Sequence, residues 1–131
     1  MSAGERNLAV LRANASPILH PAPVAIATIA GGEVPEALRA QIIGTFREAE
    51  GLTLYLDLAV AEAAGLTIVF RAAWITFDVH SDLETVGFTA VFAQALASRG
   101  IAANVVAGAF HDHIFVPLDR AQDAMAALSA L

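Results

Sequence analysis

The chain has 131 residues, no cysteine and a formal net charge of −6, which suits one compact domain or two very small units without disulfides or thiolate chemistry. All seven basic residues are arginines scattered singly along the chain, so no basic stripe follows a phosphate backbone and no nucleic-acid partner is expected. Every apolar segment is interrupted before the roughly 20 residues that a membrane span needs, so we expect a soluble, cytoplasmic protein with no membrane partner.

Residues 1–22 are predicted to form an N-terminal arm. Leu8, Val10 and Leu11 stand among polar residues between Glu5 and Asn14, as in a short amphipathic helix. The prolines between Pro17 and Pro23 should end that helix, because proline cannot continue it. The segment is therefore expected to be a lid or an arm.

Residues 23–72 predict a first unit with the order β, short α, β, β, α, β. Apolar runs between glycine or acidic turns predict strands over residues 24–29, 42–48, 52–56 and 67–70. A weak helical turn is predicted over residues 35–40. Asp57 is placed to cap a helix that continues to Ala64, and Gly65 is placed to end it.

Residues 73–131 predict a second unit, which starts with a strand over residues 75–80, where apolar and polar residues alternate. Ser81, with Glu84 three residues later, forms the sequence pattern of a capping box at a helix start. The helix is predicted to continue to Arg99 and to end at Gly100.

Two more strands and a helix follow in this second unit. The strands are predicted over residues 101–110 and 114–118, joined by a tight turn at residues 111–113. Asp119, with Gln122 three residues on, is predicted to cap the last helix. The order is β-α-β-β-α, so the last strand of the unit is missing.

Both halves therefore predict an α+β protein of ferredoxin-like βαββαβ units, two in tandem and packed side by side. An internal repeat supports this, because residues 56–59 align with residues 118–121 where a strand ends in Leu-Asp and a helix begins. The central helix is apolar around most of its circumference, and the missing strand leaves an open sheet edge. Both features favour a homodimer.

The segments 46–56 and 80–121 resemble small bacterial proteins built from two ACT domains, which are related to the ACT pairs of the eukaryotic cytosolic arginine sensors. The resemblance covers nearly the whole chain from Pro23 onward and rests on short motifs at residues 48–51, 80–81, 86–87, 104–108 and 111–113. It implies regulatory modules of ferredoxin-like fold that bind amino acids or similar small ligands at interfaces between paired copies.

An amino acid ligand needs donors for its carboxylate and acceptors for its ammonium group. The loop 80–82 offers backbone N–H groups and a hydroxyl, while Asp82, Asp112 or Glu50 can accept the cation. By resemblance, the ligand lies between this loop and the strand 104–108. The predicted ligand-binding residues are His80, Ser81, Asp82, Leu83, Val86, Gly87, Asn104, Val105, Val106, Gly108, His111 and Asp112.

Several of these residues also have a purely structural interpretation. Ser81 can be only a helix cap, Gly87 can serve close helix packing, and Asn104 can be a buried amide. Gly87 and Gly108 are predicted to let a ligand or a neighbouring backbone approach closely. Glu48 and Glu50 are expected at an exposed turn.

The histidines also allow a metal or a catalytic site. His111 and His113 are spaced to bind a metal, with His80 or Asp112 completing the set, and a His–Asp pair can act as a general base. However, the chain has no HExxH pattern, no phosphate-binding loop and no evident nucleophile with a partnered base. We therefore predict no catalytic residue, no metal and no cofactor.

The sequence favours a non-catalytic sensor whose ligand is an amino acid, with one well-formed site at the junction of the units. The alternative is a protein–protein interaction module that holds no small ligand. A sensor should keep a concave polar pocket, whereas an interaction module should have that crevice filled by side chains.

Overall fold

The structure is a computed structural model that describes residues 4–14, 16–78 and 82–131. The chain divides into two compact units, which we call the first unit (Pro21–Ala72) and the second unit (Met1–His20 with Ala73–Leu131). The sequence analysis placed its boundaries after residues 22 and 72, but it treated the beginning of the chain as a separate arm.

Four α-helices occur in the described part of the chain: α1 (Leu8–Asn14), α2 (Leu58–Ala63), α3 (Phe88–Ala97) and α4 (Ala121–Ser129). The strands there are β1 (Pro17–Leu19), β2 (Val24–Ile29), β3 (Ile42–Glu48), β4 (Gly51–Asp57), β5 (Thr67–Phe77), β6 (Asn104–Ala107) and β7 (Asp112–Pro117). Short 3-10 helices cover Glu36–Gln41 and Leu118–Arg120.

The first unit has the complete βαββαβ order, with a 3-10 helix in place of its first α-helix. Its strands are ordered β3-β4-β2-β5 and are antiparallel. Leu52, Leu54 and Leu56 alternate along β4 and are buried with Ala25 and Ala27 of β2. The predicted cap of α2 is confirmed, since Asp57 accepts a hydrogen bond from the Val60 N–H at 3.2 Å.

The second unit builds a sheet from the last five residues of β5 together with β7 and β6, and α3 and α4 bury their apolar residues in its core. Phe77 contacts both Phe88 and Phe92 of α3, with ring centroids 5.4 and 5.0 Å apart. Ile114 and Val116 of β7 belong to the same core. The predicted ferredoxin-like α+β class is thereby confirmed.

The position of the missing last strand is occupied by β1, from the beginning of the chain. Pro17–Leu19 pairs antiparallel with β5, in register Pro17↔Phe77 and Leu19↔Ile75. Leu11 of α1 is completely buried in the core of the second unit. The N-terminal segment is therefore part of this unit, which the sequence analysis did not predict because the strand has only three residues and begins with a proline.

The predicted start of the central helix is wrong by about two turns. Helix α3 begins at Phe88, and its N-cap is Gly87 with φ +95°, so Gly87 precedes the helix rather than lying inside it. Glu84 donates its N–H to the Asp82 carboxylate at 2.8 Å, which forms a turn instead of a capping box. The predicted cap Ser81 lies outside the described residues.

The hairpin after α3 also differs from the prediction. Strand β6 ends at Ala107 and β7 begins at Asp112, so the turn covers residues 108–111 rather than 111–113. Asp112 pairs with Ala107 and His113 pairs with Val106. Gly108 therefore lies in the turn and not in mid-strand. Strand β7 starts two residues earlier than predicted, because the β-branched and aromatic residues from 113 onward favour extended structure.

Two further predictions need correction. The strands predicted over residues 67–70 and 75–80 are one strand, β5, because Arg71–Trp74 continue the ladder without a turn residue. At the start of α4 no side chain caps the helix, whose N-cap is Arg120, although Asp119 was predicted to do so. A 3-10 helix over Leu118–Arg120 moves Asp119 out of the capping position.

Candidate functional site

A small cleft of about 80 Å³ in the second unit gathers acidic and hydroxyl side chains next to the start of α3. Its lining comes from the loop before α3, from the first turn of α3 and from the hairpin of β6 and β7. The lining residues are Asp82, Leu83, Thr85, Phe88, Thr89, Ala107 and Asp112. The predicted site residues Asp82, Leu83 and Asp112 thus lie together.

The Asp82 carboxylate is held by two groups. The Asp82 side chain is only 9% exposed and forms an ion pair with Arg6, whose Nε lies 3.0 Å from Asp82 Oδ2. The other oxygen accepts the Glu84 N–H. Arg6 also pairs with Glu84 at 2.6 Å. The hydrogen bond and charge of Asp82, followed by the charge of Glu84, raise the pKa of Arg6.

The N-terminal segment holds this loop through its backbone as well. The Asp82 N–H and the Thr85 hydroxyl both donate to the Glu5 carbonyl, at 2.9 and 3.0 Å. The Thr85 N–H donates to the Asp82 carbonyl at 3.0 Å, which closes the turn ahead of α3. Asp82 and Thr85 are therefore fixed in position rather than freely rotating in solvent.

Asp112 enters the cleft from the first position of β7. It is 8% exposed and is one of the two buried polar residues of the described chain. Asp82 and Asp112 both line this cleft and make it acidic, so a cationic group bound beside them is electrostatically favoured.

Other predicted site residues lie away from the cleft lining. Val86 is 88% exposed, and Asn104, Val105 and Val106 lie on the exposed strand β6. Position 87 favours glycine because φ there is +95°, and a Cβ at this position would lie 3.4 Å from the Leu8 side chain. Predicted contacts of His80 and Ser81 fall outside the described residues.

Gly108 and His111 stabilise the hairpin turn instead of lining the cleft. The Gly108 N–H donates to the His111 carbonyl at 2.9 Å. A Cβ at Gly108 would lie 2.9 Å from that oxygen and 3.2 Å from the His113 ring. The expected close approach at Gly108 is therefore made by protein atoms.

The sequence analysis missed four residues of the cleft lining and one residue beside it. Thr85, Phe88, Thr89 and Ala107 line the cleft. Thr85 directly follows the acidic Glu84, and Thr89 comes four residues later. This spacing was visible in the sequence. Arg6 had no such signal, because the whole first unit separates it from Asp82 in the chain.

The metal hypothesis finds no geometric support among the described residues, in which no group of three or more His, Cys, Asp or Glu side chains is arranged to hold an ion. The predicted set also includes His80, which lies outside those residues.

A larger cleft of about 880 Å³ lies in the first unit, between the loop at Gly31–Gly32 and the β3–β4 hairpin. Its hairpin residues, Phe46 to Glu50, are all exposed, as predicted for Glu48 and Glu50. Glu48 accepts a hydrogen bond from Thr53 across the hairpin. The volume of this cleft is in the range of ordinary ligand pockets. However, the cleft is open, and its charged hairpin side chains are exposed to solvent.

The fold and the cleft define a tandem pair of ferredoxin-like α+β units. Two family models, both described as ACT domain, match residues 3–73 and 69–130. The chain therefore belongs to the ACT-domain family and carries two such domains. ACT domains are regulatory, non-catalytic modules, and the pair supports a regulatory role based on small-molecule binding.

Solved structures agree with this assignment. A protein of unknown function from Vibrio cholerae, described as a possible transport protein, is 44% identical, with 94% of each chain covered and a TM-score of 0.82. A protein from Agrobacterium tumefaciens is 14% identical over 89% of this chain and 88% of that one, with a TM-score of 0.72. The ligand-free regulatory subunit of aspartate kinase from Thermus thermophilus is 16% identical, with 86% and 92% covered and a TM-score of 0.64.

No curated protein sequence matches the chain. Among the described residues, every helix is too short or too polar to cross a membrane.

Proposed function

We propose that the protein is a sensor that binds an amino acid at the cleft of its second unit, and that it works as a cytoplasmic homodimer. The observation that carries this proposal is the meeting of two nearly buried carboxylates, Asp82 and Asp112, with the hydroxyl-bearing Thr85 and Thr89 at the start of a helix. The carboxylates are suited to an ammonium group, and the hydroxyls add hydrogen-bonding capacity.

The other end of an amino acid also finds matching chemistry. The first N–H groups of α3 have no partner within the helix, and the helix dipole favours a negative charge there. The Arg6 guanidinium, 61% exposed, lies beside the same loop and can offer donors to a carboxylate. The charge pattern is thus complementary to a zwitterion.

The volume of the cleft limits how a ligand fits. Pockets that enclose a small molecule usually measure about 300–1,000 Å³, so a cleft of about 80 Å³ takes only the ammonium end of the ligand. The rest of the ligand would lie over Leu83 and Thr85 and be covered by another surface. A paired copy of the chain is the cover that this proposal expects.

The alternative is an interaction module without a small ligand. It is favoured by the small cleft volume and by the exposed apolar side chains of Leu83 and Val86 beside it. In that case the loop before α3 would bind a protein surface, and Asp82 and Asp112 would serve only the local fold.

A thermal-shift screen of the purified protein against the twenty amino acids tests the proposal. A ligand at about 100 times its dissociation constant adds about 2.7 kcal/mol to the free energy of unfolding. We expect a shift with one or two amino acids that is lost in Thr89→Val. The matched control is Thr67→Val, an exposed threonine of the first unit. A screen without any shift would favour the interaction module.

A further inference from the structure

Four side chains of the second unit form a hydrogen-bonded group that we call the His–Trp cluster: His20, Trp74, Thr76 and His113. Trp74 and Thr76 alternate along β5 with the core residues Ala73, Ile75 and Phe77, so they lie on the opposite face of the sheet. His113 joins them from β7, and His20 follows β1 at the end of the N-terminal segment.

The cluster connects the N-terminal segment to the sheet at several points. The His20 ring stacks on Trp74 with centroids 3.6 Å apart and an interplanar angle of 10°. His20 Nε2 lies 2.8 Å from Thr76 Oγ1, and the His20 N–H donates to the Trp74 carbonyl at 2.9 Å. His113 completes the group, with Nδ1 2.9 Å from Thr76 Oγ1 and 3.1 Å from Trp74 Nε1.

The contact with Trp74 fixes the tautomer of the neutral His113 imidazole. The indole N–H of Trp74 can only donate, so His113 Nδ1 must be an unprotonated acceptor and the ring proton must lie on Nε2. The Thr76 hydroxyl lies within hydrogen-bonding distance of both His113 Nδ1 and His20 Nε2 and so links the two rings. A proton on His113 Nδ1 would direct an N–H at the Trp74 N–H and remove the acceptor of that indole.

We propose that the His–Trp cluster is a proton-controlled clasp for the N-terminal segment, closed while His113 is neutral and opened when His113 Nδ1 takes up a proton. Opening breaks the Trp74–His113 hydrogen bond and puts a positive charge on His113, near the His20 ring. His20 is attached directly to β1, so the pairing of Pro17–Leu19 with β5 is weakened. Arg6, on the same segment, is thereby linked to the state of the clasp.

The groups around His113 determine the pH at which the clasp opens, which is mildly acidic. Burial lowers the pKa of His113, and the neighbouring His111 and His20 lower it further, while Asp112 raises it. Burial also lowers the pKa of His20. The clasp is therefore closed at neutral pH and opens at a pH below the ordinary histidine value of about 6.5.

The fluorescence of Trp74 tests the proposal, because it is the only tryptophan in the chain. A pH titration of the full-length protein from 7.5 to 5.0 should show a reversible change of emission with a midpoint below about 6.5. The change should become smaller in His113→Gln, where only His20 still titrates against the indole, and remain in the control variant His111→Gln. An unchanged titration in His113→Gln, or no transition in the wild type, would overturn the clasp.

A second measurement needs no variant. In the NMR spectrum of the wild-type imidazoles at pH 7.5, His113 should carry its proton on Nε2, and its titration should coincide with the shift of the Trp74 indole N–H. Amide hydrogen exchange at residues 18–20 should accelerate, relative to its intrinsic rate, in the same pH interval. An Nδ1-protonated His113 at pH 7.5, or exchange that does not change with pH beyond its intrinsic dependence, would contradict the proposal.

Discussion

Arg6 Nε lies 3.0 Å from Asp82 Oδ2, although the whole first unit lies between these residues in the chain. The beginning of the chain thus supplies a cation to the candidate site, a strand to the sheet and a leucine to the core of the second unit. The second unit cannot be complete without the N-terminal segment.

Replacing Arg6 by Gln should lower the melting temperature at low ionic strength and have a smaller effect at high salt, because salt screens the attraction to Asp82 and Glu84. Arg39→Gln is the matched control, since Arg39 pairs with the exposed Glu36. We expect a larger shift for Arg6→Gln, because Asp82 is nearly buried. Equal shifts in the two variants would contradict the structural role of this ion pair.

Leu11→Ala should reduce the free energy of unfolding by about 2–5 kcal/mol, the usual cost of emptying a buried leucine site. Leu11 is completely buried in the core of the second unit. Val10→Ala, at an exposed neighbouring position, should stay within about 0.5 kcal/mol. Urea unfolding of both variants measures the difference, and a small effect of Leu11→Ala would show that the segment is only an arm.

Asp57→Ala should cost about 0.5–2 kcal/mol, because Asp57 caps α2 through the Val60 N–H. Asp57→Asn should retain most of the stability, since asparagine is also a good cap. Asp119→Ala should change the free energy of unfolding by less than about 0.5 kcal/mol, because α4 has no side-chain cap. Equal losses at Asp57 and Asp119 would restore the sequence-based assignment of two caps.

The free energy of unfolding should decrease as the pH falls below about 6.5. Burial lowers the folded-state pKa of His113 and His20, so the unfolded chain takes up protons first as the pH drops. Their contribution is complete above pH 6.5 and is lost as the pH falls through the folded-state pKa values. Urea midpoints at pH 7.5, 6.5 and 5.5 should show this decline, and His113→Gln should reduce it.

Much of the fold follows from local sequence signals. The alternation of Leu52, Leu54 and Leu56 identifies β4 and its buried face, and Asp57 and Gly65 mark the limits of α2 correctly. The order of elements in both units was also predictable, because each element has its own apolar period. These signals require no knowledge of distant contacts.

The features that could not be predicted depend on long-range contacts. Strand β1 has only three residues and exists because β5 offers an edge to it. The start of α3 is set at Gly87 rather than at Ser81, where residues Asp82 to Thr85 form a turn held by Glu5. For the same reason the sequence predicted Asp82 and Asp112, which line the candidate cleft, but did not identify Arg6 beside them.

The most direct test of the sensor proposal is a titration of the isotope-labelled protein with each amino acid, followed through its backbone amide NMR signals. We predict that one or two amino acids shift the signals of Asp82, Thr85, Thr89 and Asp112 and leave those of the first-unit cleft, Gly31 to Leu52, unchanged. Shifts confined to the first-unit cleft would move the binding site there. The absence of shifts with all twenty amino acids would contradict an amino acid sensor.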